Sequence, residues 1–138
     1  MDCIFCKIIK GEINSLKVFE DDDVLVFLDV NPLTKGHCLA VSKEHFENIF
    51  DIDKAILQKV IIAGKNISEK IQKNLDADGI YLSQSNGEAA GQIIFHFHLH
   101  IIPRYKGDGL SVKIFGSGAH PQKADINELK KIAEEIKK

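Results

Sequence analysis

The stretch Phe95-His96-Phe97-His98-Leu99-His100-Ile101-Ile102-Pro103 alternates apolar residues with histidine. A period of two is the signature of a β-strand with one buried face. The alternation predicts a strand over Phe95 to Ile102, ended by Pro103, whose missing N–H cannot extend a ladder. Phe95, Phe97, Leu99 and Ile101 then face a core. His96, His98 and His100 form a ridge on the opposite face, with successive side chains roughly 6.5–7 Å apart. The chain has six histidines, so half of them stand on that ridge.

Such a strand needs a sheet beside it. Lys17 to Glu20 and Val24 to Leu28 read as two strands joined by the turn Asp21-Asp22-Asp23. Asn31-Pro32 breaks the second, His37 to Val41 reads as a third, and Ile80-Tyr81-Leu82 as a short fourth. Asp53 to Leu75 is the main helix, because Ile56, Val60, Ile67, Ile71 and Leu75 recur at helical spacings, with Asp51 or Asp53 as its cap. Asp125 to Lys138 is a second helix, with the stripe Ile126, Leu129, Ile132, Ala133 and Ile136. Its acidic start and basic end suit the helix dipole. Residues 85–91 read as a loop, and residues 107–122 carry no assignable pattern. The expectation is one α+β domain spanning residues 1–138, an antiparallel sheet with a long central helix and a C-terminal helix.

The chain has 138 residues, 44% hydrophobic and 28% charged, with a formal net charge of −2. That balance provides no electrostatic pull toward nucleic acid or an anionic membrane. No run approaches the roughly 20 apolar residues of a membrane span. The opening Met1-Asp2-Cys3-Ile4-Phe5-Cys6-Lys7 does not read as a signal peptide, so a cytoplasmic location is expected. Thiols stay reduced there, which turns attention from disulfides to metal binding for any close cysteine pair.

The histidine ridge admits three readings: a solvent face that happens to be histidine, a His-x-His metal site, or nucleophilic catalysis by one imidazole flanked by others. Other blocks bear on the choice. Phe5-Cys6-Lys7-Ile8-Ile9, Phe19-Glu20-Asp21-Asp22, Phe27-Leu28-Asp29-Val30-Asn31-Pro32, Gly36-His37, Ser42-Lys43-Glu44-His45 and Gly91-Gln92 precede His-Phe-His-Leu-His-Ile-Ile. In this order the blocks closely resemble the histidine-triad superfamily, from about Cys3 to Arg104.

The resemblance implies a homodimer that acts on purine nucleotides, hydrolysing or transferring at the α-phosphorus. It implies His98 as the nucleophile, forming a nucleotidyl-histidine intermediate. His37, His96 and His100 complete the catalytic group, with His100 and His37 flanking the phosphate. Asp29 would bind the ribose hydroxyls. Phe5, Ile8, Phe27 and Val30 would line the base pocket, and Asn86 and Gln92 would contact the phosphate or leaving group. Hint-like phosphoramidate hydrolysis is the leading expectation. Dinucleoside polyphosphate hydrolysis of the Fhit-like kind, or a nucleotide-binding scaffold with vestigial catalysis, stands as the alternative. No Walker loop or carboxylate cluster supplies a catalytic metal. The family often has Ser or Thr after the Gln of its block, whereas this chain has Ile93. The departure bears on leaving-group preference.

Cys3-Ile4-Phe5-Cys6 is a C-x-x-C pair. A redox pair and incidental thiols are alternatives, but zinc is the leading reading, since two such thiolates chelate it and two histidines can complete a tetrahedron. Many bacterial members of the family look like this, which implies a structural zinc on Cys3, Cys6, His45 and His96. Cys38 reads as an inert core residue, and His120 has no assigned role.

Overall fold

The structure, a computed structural model, describes residues 2–110 and 124–138. In chain order the elements are α1 (Ile4–Ile9), β1 (Lys17–Glu20), β2 (Val24–Leu28), β3 (Cys38–Ser42), α2 (Lys54–Leu75), β4 (Gly79–Ser83), β5 (His98–Arg104) and α3 (Ile126–Lys137). One turn of 3-10 helix, Glu88–Ala90, lies between β4 and β5. The five strands form one sheet in the order β1-β2-β3-β5-β4, with every pairing antiparallel. The expected α+β architecture, with its long central and C-terminal helices, is the one observed. His120 and most of residues 107–122 lie outside the described residues. Among the described residues no helix is long and apolar enough to cross a membrane.

The sheet is covered on both faces, and the strand pleat sorts side chains between two clusters. Val24, Val26 and Leu28 of β2, Cys38 and Ala40 of β3, and Leu99 and Ile101 of β5 pack with α2 and α3. Leu25, Phe27, Leu39 and Val41 point the other way, onto Cys3, Phe5 and Ile8 of the N-terminal segment. Hence all of β2 and β3 is buried. Each large buried aliphatic, such as Ile71, Ile101 or Ile136, contributes about 1.5–3 kcal/mol.

Local details follow from side-chain chemistry. The Asp21 carboxylate accepts from the N–H groups of Asp23 and Val24, closing the β1–β2 turn. Asp53 occupies the N-cap of α2 without a side-chain cap bond, while Asp51 accepts from Glu47 and Asn48 in the turn before it. Asp125 caps α3 by accepting from Asn127. Ile126, expected in the apolar stripe of α3, is 51% exposed, because only Leu129, Ile132, Ala133 and Ile136 reach α2 and the sheet.

The alternating strand differs from its expected limits at both ends. It begins at His98, not Phe95. Its pairing with β3 ends at His98↔Val41, so residues 95–97 lie outside the ladder, and the Phe97 N–H bonds instead to the Phe46 carbonyl at 2.7 Å. Phe95 is consequently 42% exposed and not in the core. At the other end β5 runs through Pro103 to Arg104. The Pro103 carbonyl accepts from the Thr34 hydroxyl at 2.6 Å, on the side where β3 has already ended. In a strand the N of a residue points the same way as its carbonyl, so the ring costs the β4–β5 ladder no hydrogen bond.

Candidate functional site

The register of β5 on β3 pairs His98 with Val41 and His100 with Leu39. Both histidines therefore rise on the sheet face that carries Phe5, Phe27, Leu39 and Val41. Their ring centroids are 5.1 Å apart, and the Phe5 ring stands 5.1 Å from that of His98. His96 lies just outside the strand, fully buried, with its ring 5.8 Å from Phe5. His37, immediately before β3, reaches His100 from the neighbouring strand, Nε2 to Nδ1 at 3.0 Å.

Backbone groups decide the tautomers. The Nδ1–H of His98 donates to the His96 carbonyl at 2.7 Å, which leaves the lone pair on Nε2. The Nε2–H of His96 donates to the Ser42 carbonyl at 2.6 Å, which leaves its lone pair on Nδ1. The Leu33 N–H donates to Nδ1 of His37 at 3.1 Å, so His37 carries its hydrogen on Nε2. Burial holds all four rings neutral near pH 7. It pushes His37 down to about 3, with His100 adding to the effect. It lowers His96 to about 4, lowers His98, and lowers His100 to about 4 with His98 adding. The arrangement presents a neutral imidazole whose Nε2 lone pair is available to an electrophile.

The second cluster is the cysteine pair. Cys3 caps α1, its sulfur accepting from the Cys6 N–H at 3.4 Å. Its sulfur also lies 3.3 Å from Nδ1 of His96. Cys6 Sγ lies 3.4 Å from Nδ1 of His45 and 3.6 Å from Nδ1 of His96, and the two nitrogens are 3.1 Å apart. A tetrahedral zinc with ordinary bond lengths has edges of about 3.4 Å between nitrogens and about 3.6 Å between nitrogen and sulfur. The donor set fits in both identity and spacing. Burial, followed by the neighbouring Cys3, pushes the Cys6 thiol up from its ordinary value, so thiolate in this corner needs a cation. Asp29, His37 and His100 also place ligand atoms within 4.8 Å of one another. There the Leu33 N–H already occupies Nδ1 of His37, so a metal on Nε2 would demand an imidazolate. That chemistry argues for a proton between these rings and against a metal.

The remaining expected residues divide into two groups. Phe5, Ile8 and Phe27 are buried together in one apolar cluster, whereas Val30 is exposed and not part of it. Asp29 is half-buried, its carboxylate 3.7 Å from Nε2 of His37 and accepting from the Asn31 N–H at 2.9 Å. Burial raises its pKa. Asn86 and Gln92 are turned inward. Asn86 exchanges hydrogen bonds with Gln84 and accepts from the Ile49 N–H. Gln92, 4% exposed, donates to the Glu47 and Ile94 carbonyls and accepts from the Gly87 N–H. Both brace the loop between β4 and β5 in this conformation. Ile93 is 88% exposed. Cys38 is fully buried, as expected, and donates to the Gly36 carbonyl.

Sequence reasoning missed α1 and the three backbone groups that set the tautomers. The apolar pair Phe5 and Ile8 was a short signal for the helix. A backbone N–H or carbonyl has no signal at all.

Comparison with known proteins adds four findings. A family model described as HIT domain matches residues 10–107. The protein named hit of Bacillus subtilis is 47% identical over 109 residues, covering 78% of this chain and 75% of that one. The adenylylsulfatase HINT3 of Arabidopsis thaliana is 44% identical over 109 residues, covering 79% of this chain and 55% of that one. Among solved structures, a zinc-bound histidine triad family protein from Mycobacterium smegmatis superposes with a TM-score of 0.86 at 30% identity, covering 99% of this chain and 91% of that one.

Proposed function

The chain belongs to the HIT domain family, and from that premise we propose that it hydrolyses or transfers purine nucleotides at the α-phosphorus, with Nε2 of His98 as nucleophile. The observation that carries this reading is the 2.7 Å bond from Nδ1 of His98 to the His96 carbonyl, which leaves a neutral ring with its lone pair on Nε2. A bond forms between Nε2 and phosphorus as the bond from phosphorus to the leaving group breaks. A proton is taken up with the leaving group. Water then cleaves the phosphorus–nitrogen bond, giving the nucleoside monophosphate, releasing a proton and restoring His98. Nucleoside phosphoramidates are the proposed substrate class. The name of the Arabidopsis relative points to an adenylyl group, which fits an apolar wall of Phe5, Ile8 and Phe27 for the base. Asp29, next to the exposed Val30, is the proposed ribose partner.

Zinc is proposed as a structural ion on Cys3, Cys6, His45 and His96, in line with the zinc-bound Mycobacterium smegmatis structure. When bound, it supplies a cross-link between α1 and the segment entering β5, and no step of the reaction runs through it. We also propose a homodimer. Supporting it, β4 is an edge strand whose Leu82 is exposed, and Ile49, Phe50, Ile61 and Ile62 are exposed large apolar residues as well.

Rapid quench with a labelled adenosine phosphoramidate tests the mechanism. AMP should be trapped on His98 through an acid-labile, base-stable bond. His98→Ala should lose several orders of magnitude in turnover while keeping nucleoside affinity. Near-normal turnover by His98→Ala would remove His98 as the nucleophile.

A further inference from the structure

The sulfurs of Cys3 and Cys6 share one corner with the imidazoles of His45 and His96, and all four donor atoms lie within 4.8 Å of one another. Cys3 occupies the N-cap of α1, and Cys6, on the next turn, donates its N–H to the Cys3 sulfur at 3.4 Å. The two sulfurs can therefore meet without any unfolding. The corner is not sealed either. A cleft of about 390 Å³ opens beside it, lined by Cys3, Ile4, His45 and Phe95 among others, and Cys6 is only half-buried. Hydrogen peroxide, about twice the size of a water at roughly 30 Å³, fits that space.

The third cysteine does not compete. Cys38 is fully buried, packs in the other cluster and donates to the Gly36 carbonyl. Phe5 stands between Cys3 and Cys6 in the chain, and its ring is 5.1 Å from that of His98 and 5.7 Å from that of Phe27. A rearrangement of the cysteine pair is thus carried directly to the histidine face.

We propose that Cys3 and Cys6 form an oxidation site, at which a hydroperoxide converts the pair to a disulfide, frees the zinc and displaces Phe5. With hydrogen peroxide, the Cys6 thiolate, the less buried of the two, attacks one oxygen. A sulfur–oxygen bond forms, the oxygen–oxygen bond breaks, and the departing hydroxide takes a proton. The Cys3 thiolate then attacks the Cys6 sulfur. The sulfur–sulfur bond forms, and the second hydroxide leaves and is protonated. Two electrons pass from the pair to the peroxide, which ends as two waters. A disulfide sulfur is no longer a thiolate, so the ion keeps only His45 and His96 and is lost. The new bond also needs the sulfurs at about 2.05 Å and the Cβ atoms about 3.5–4.5 Å apart. That draws both sulfurs from the histidines and tightens the first turn of α1 around Phe5. The loss of nucleoside affinity expected from this rests on the nucleotide reading above, while the modification does not.

The full chain, purified reduced with its zinc, is titrated with hydrogen peroxide. A chromogenic chelator reads the free metal, and alkylation followed by mass spectrometry reads the thiols. One zinc should be released per disulfide, the peptide carrying Cys3 and Cys6 should become lighter by two hydrogens, and Cys38 should stay reduced. Dithiothreitol with zinc should restore the starting state. Affinity for AMP, read by calorimetry, should fall about three- to tenfold on oxidation, the worth of one edge-on aromatic contact. A reduced protein without zinc, zinc retained after the pair is oxidised, or sulfinic acids in place of a disulfide would each overturn the proposal. Zinc loss and a reversible disulfide with unchanged AMP affinity would uphold the modification site and remove Phe5 from the nucleoside pocket. The same oxidation in a protein that forms no adduct on His98 would uphold the site and dismiss the nucleophile.

Discussion

Replacing Gly36 with alanine tests how tightly the loop before His37 is seated. Gly36 has φ +91°, in the region where an L side chain is strained, and its added Cβ would lie 2.6 Å from Cδ1 of Leu75 and 3.3 Å from Cγ of Pro103. Leu75 is 8% exposed at the end of α2, and Pro103 sits within β5, so neither neighbour can swing into solvent. Left-handed backbone costs about 1–2 kcal/mol for a residue with a Cβ, and overpacking a closed site about 1–3 kcal/mol. Together these predict a loss of about 2–5 kcal/mol, or a fall in Tm of roughly 6–15 °C for a domain of this size. Gly79→Ala is the control, because nothing lies within 4 Å of its added Cβ and no positive φ is involved. It should change stability by less than about 0.5 kcal/mol. Thermal unfolding and steady-state kinetics are measured on both variants. Gly36→Ala should also lower kcat more than it raises KM, since any relief of the clash moves the residue next to His37. A Gly36→Ala protein that melts with the wild type would refute the reasoning.

Three further outcomes are expected. Protein purified without added metal should contain about one zinc per chain, and Cys3→Ser should lose metal and stability together, because ligand geometry and folding are coupled. Full stability after chelation and refolding without zinc would dismiss the structural ion. Urea unfolding should show stability falling as pH drops below the unfolded histidine pKa of about 6.5, since the unfolded chain then binds protons that His37 and His100, held at about 3 and about 4, do not. Each histidine contributes at most about 1.4 kcal/mol per pH unit in that window, and Asp29, raised by burial, offsets part of it. A flat profile between neutrality and the folded values would contradict the burial of these rings in neutral form. Sedimentation at micromolar concentration should give twice the chain mass, and Leu82→Lys should shift it toward the monomer; a monomeric wild type would rule out the dimer.

Periodicity is a local property, so it could be read directly from the chain. The alternation of Phe97, His98, Leu99, His100 and Ile101 assigns each residue to a face of the sheet whatever the neighbouring strand is. The helical spacing of Val60, Ile67, Ile71 and Leu75, and of Leu129, Ile132 and Ile136, likewise names the buried stripes of α2 and α3. The histidine face and the thiol pair were visible for the same reason.

What lay beyond the sequence is non-local. Ninety-three residues separate Cys3 from His96, and their contact exists because α1 covers the face of the sheet that carries the histidines. The strand begins at His98 because its pairing with β3 ends at Val41, a matter of register between segments far apart in the chain. His96 thereby leaves the ridge and turns its Nδ1 to the sulfurs, while His98 and His100 keep their place. Above all, the protonated nitrogen of His98, His96 and His37 is selected by a backbone group: the carbonyls of His96 and Ser42 and the N–H of Leu33. Every residue except proline brings such a carbonyl and N–H, so their presence carries no information in the sequence. Only the folded chain decides which of them meets an imidazole, and with it which nitrogen can attack, bind a metal or donate.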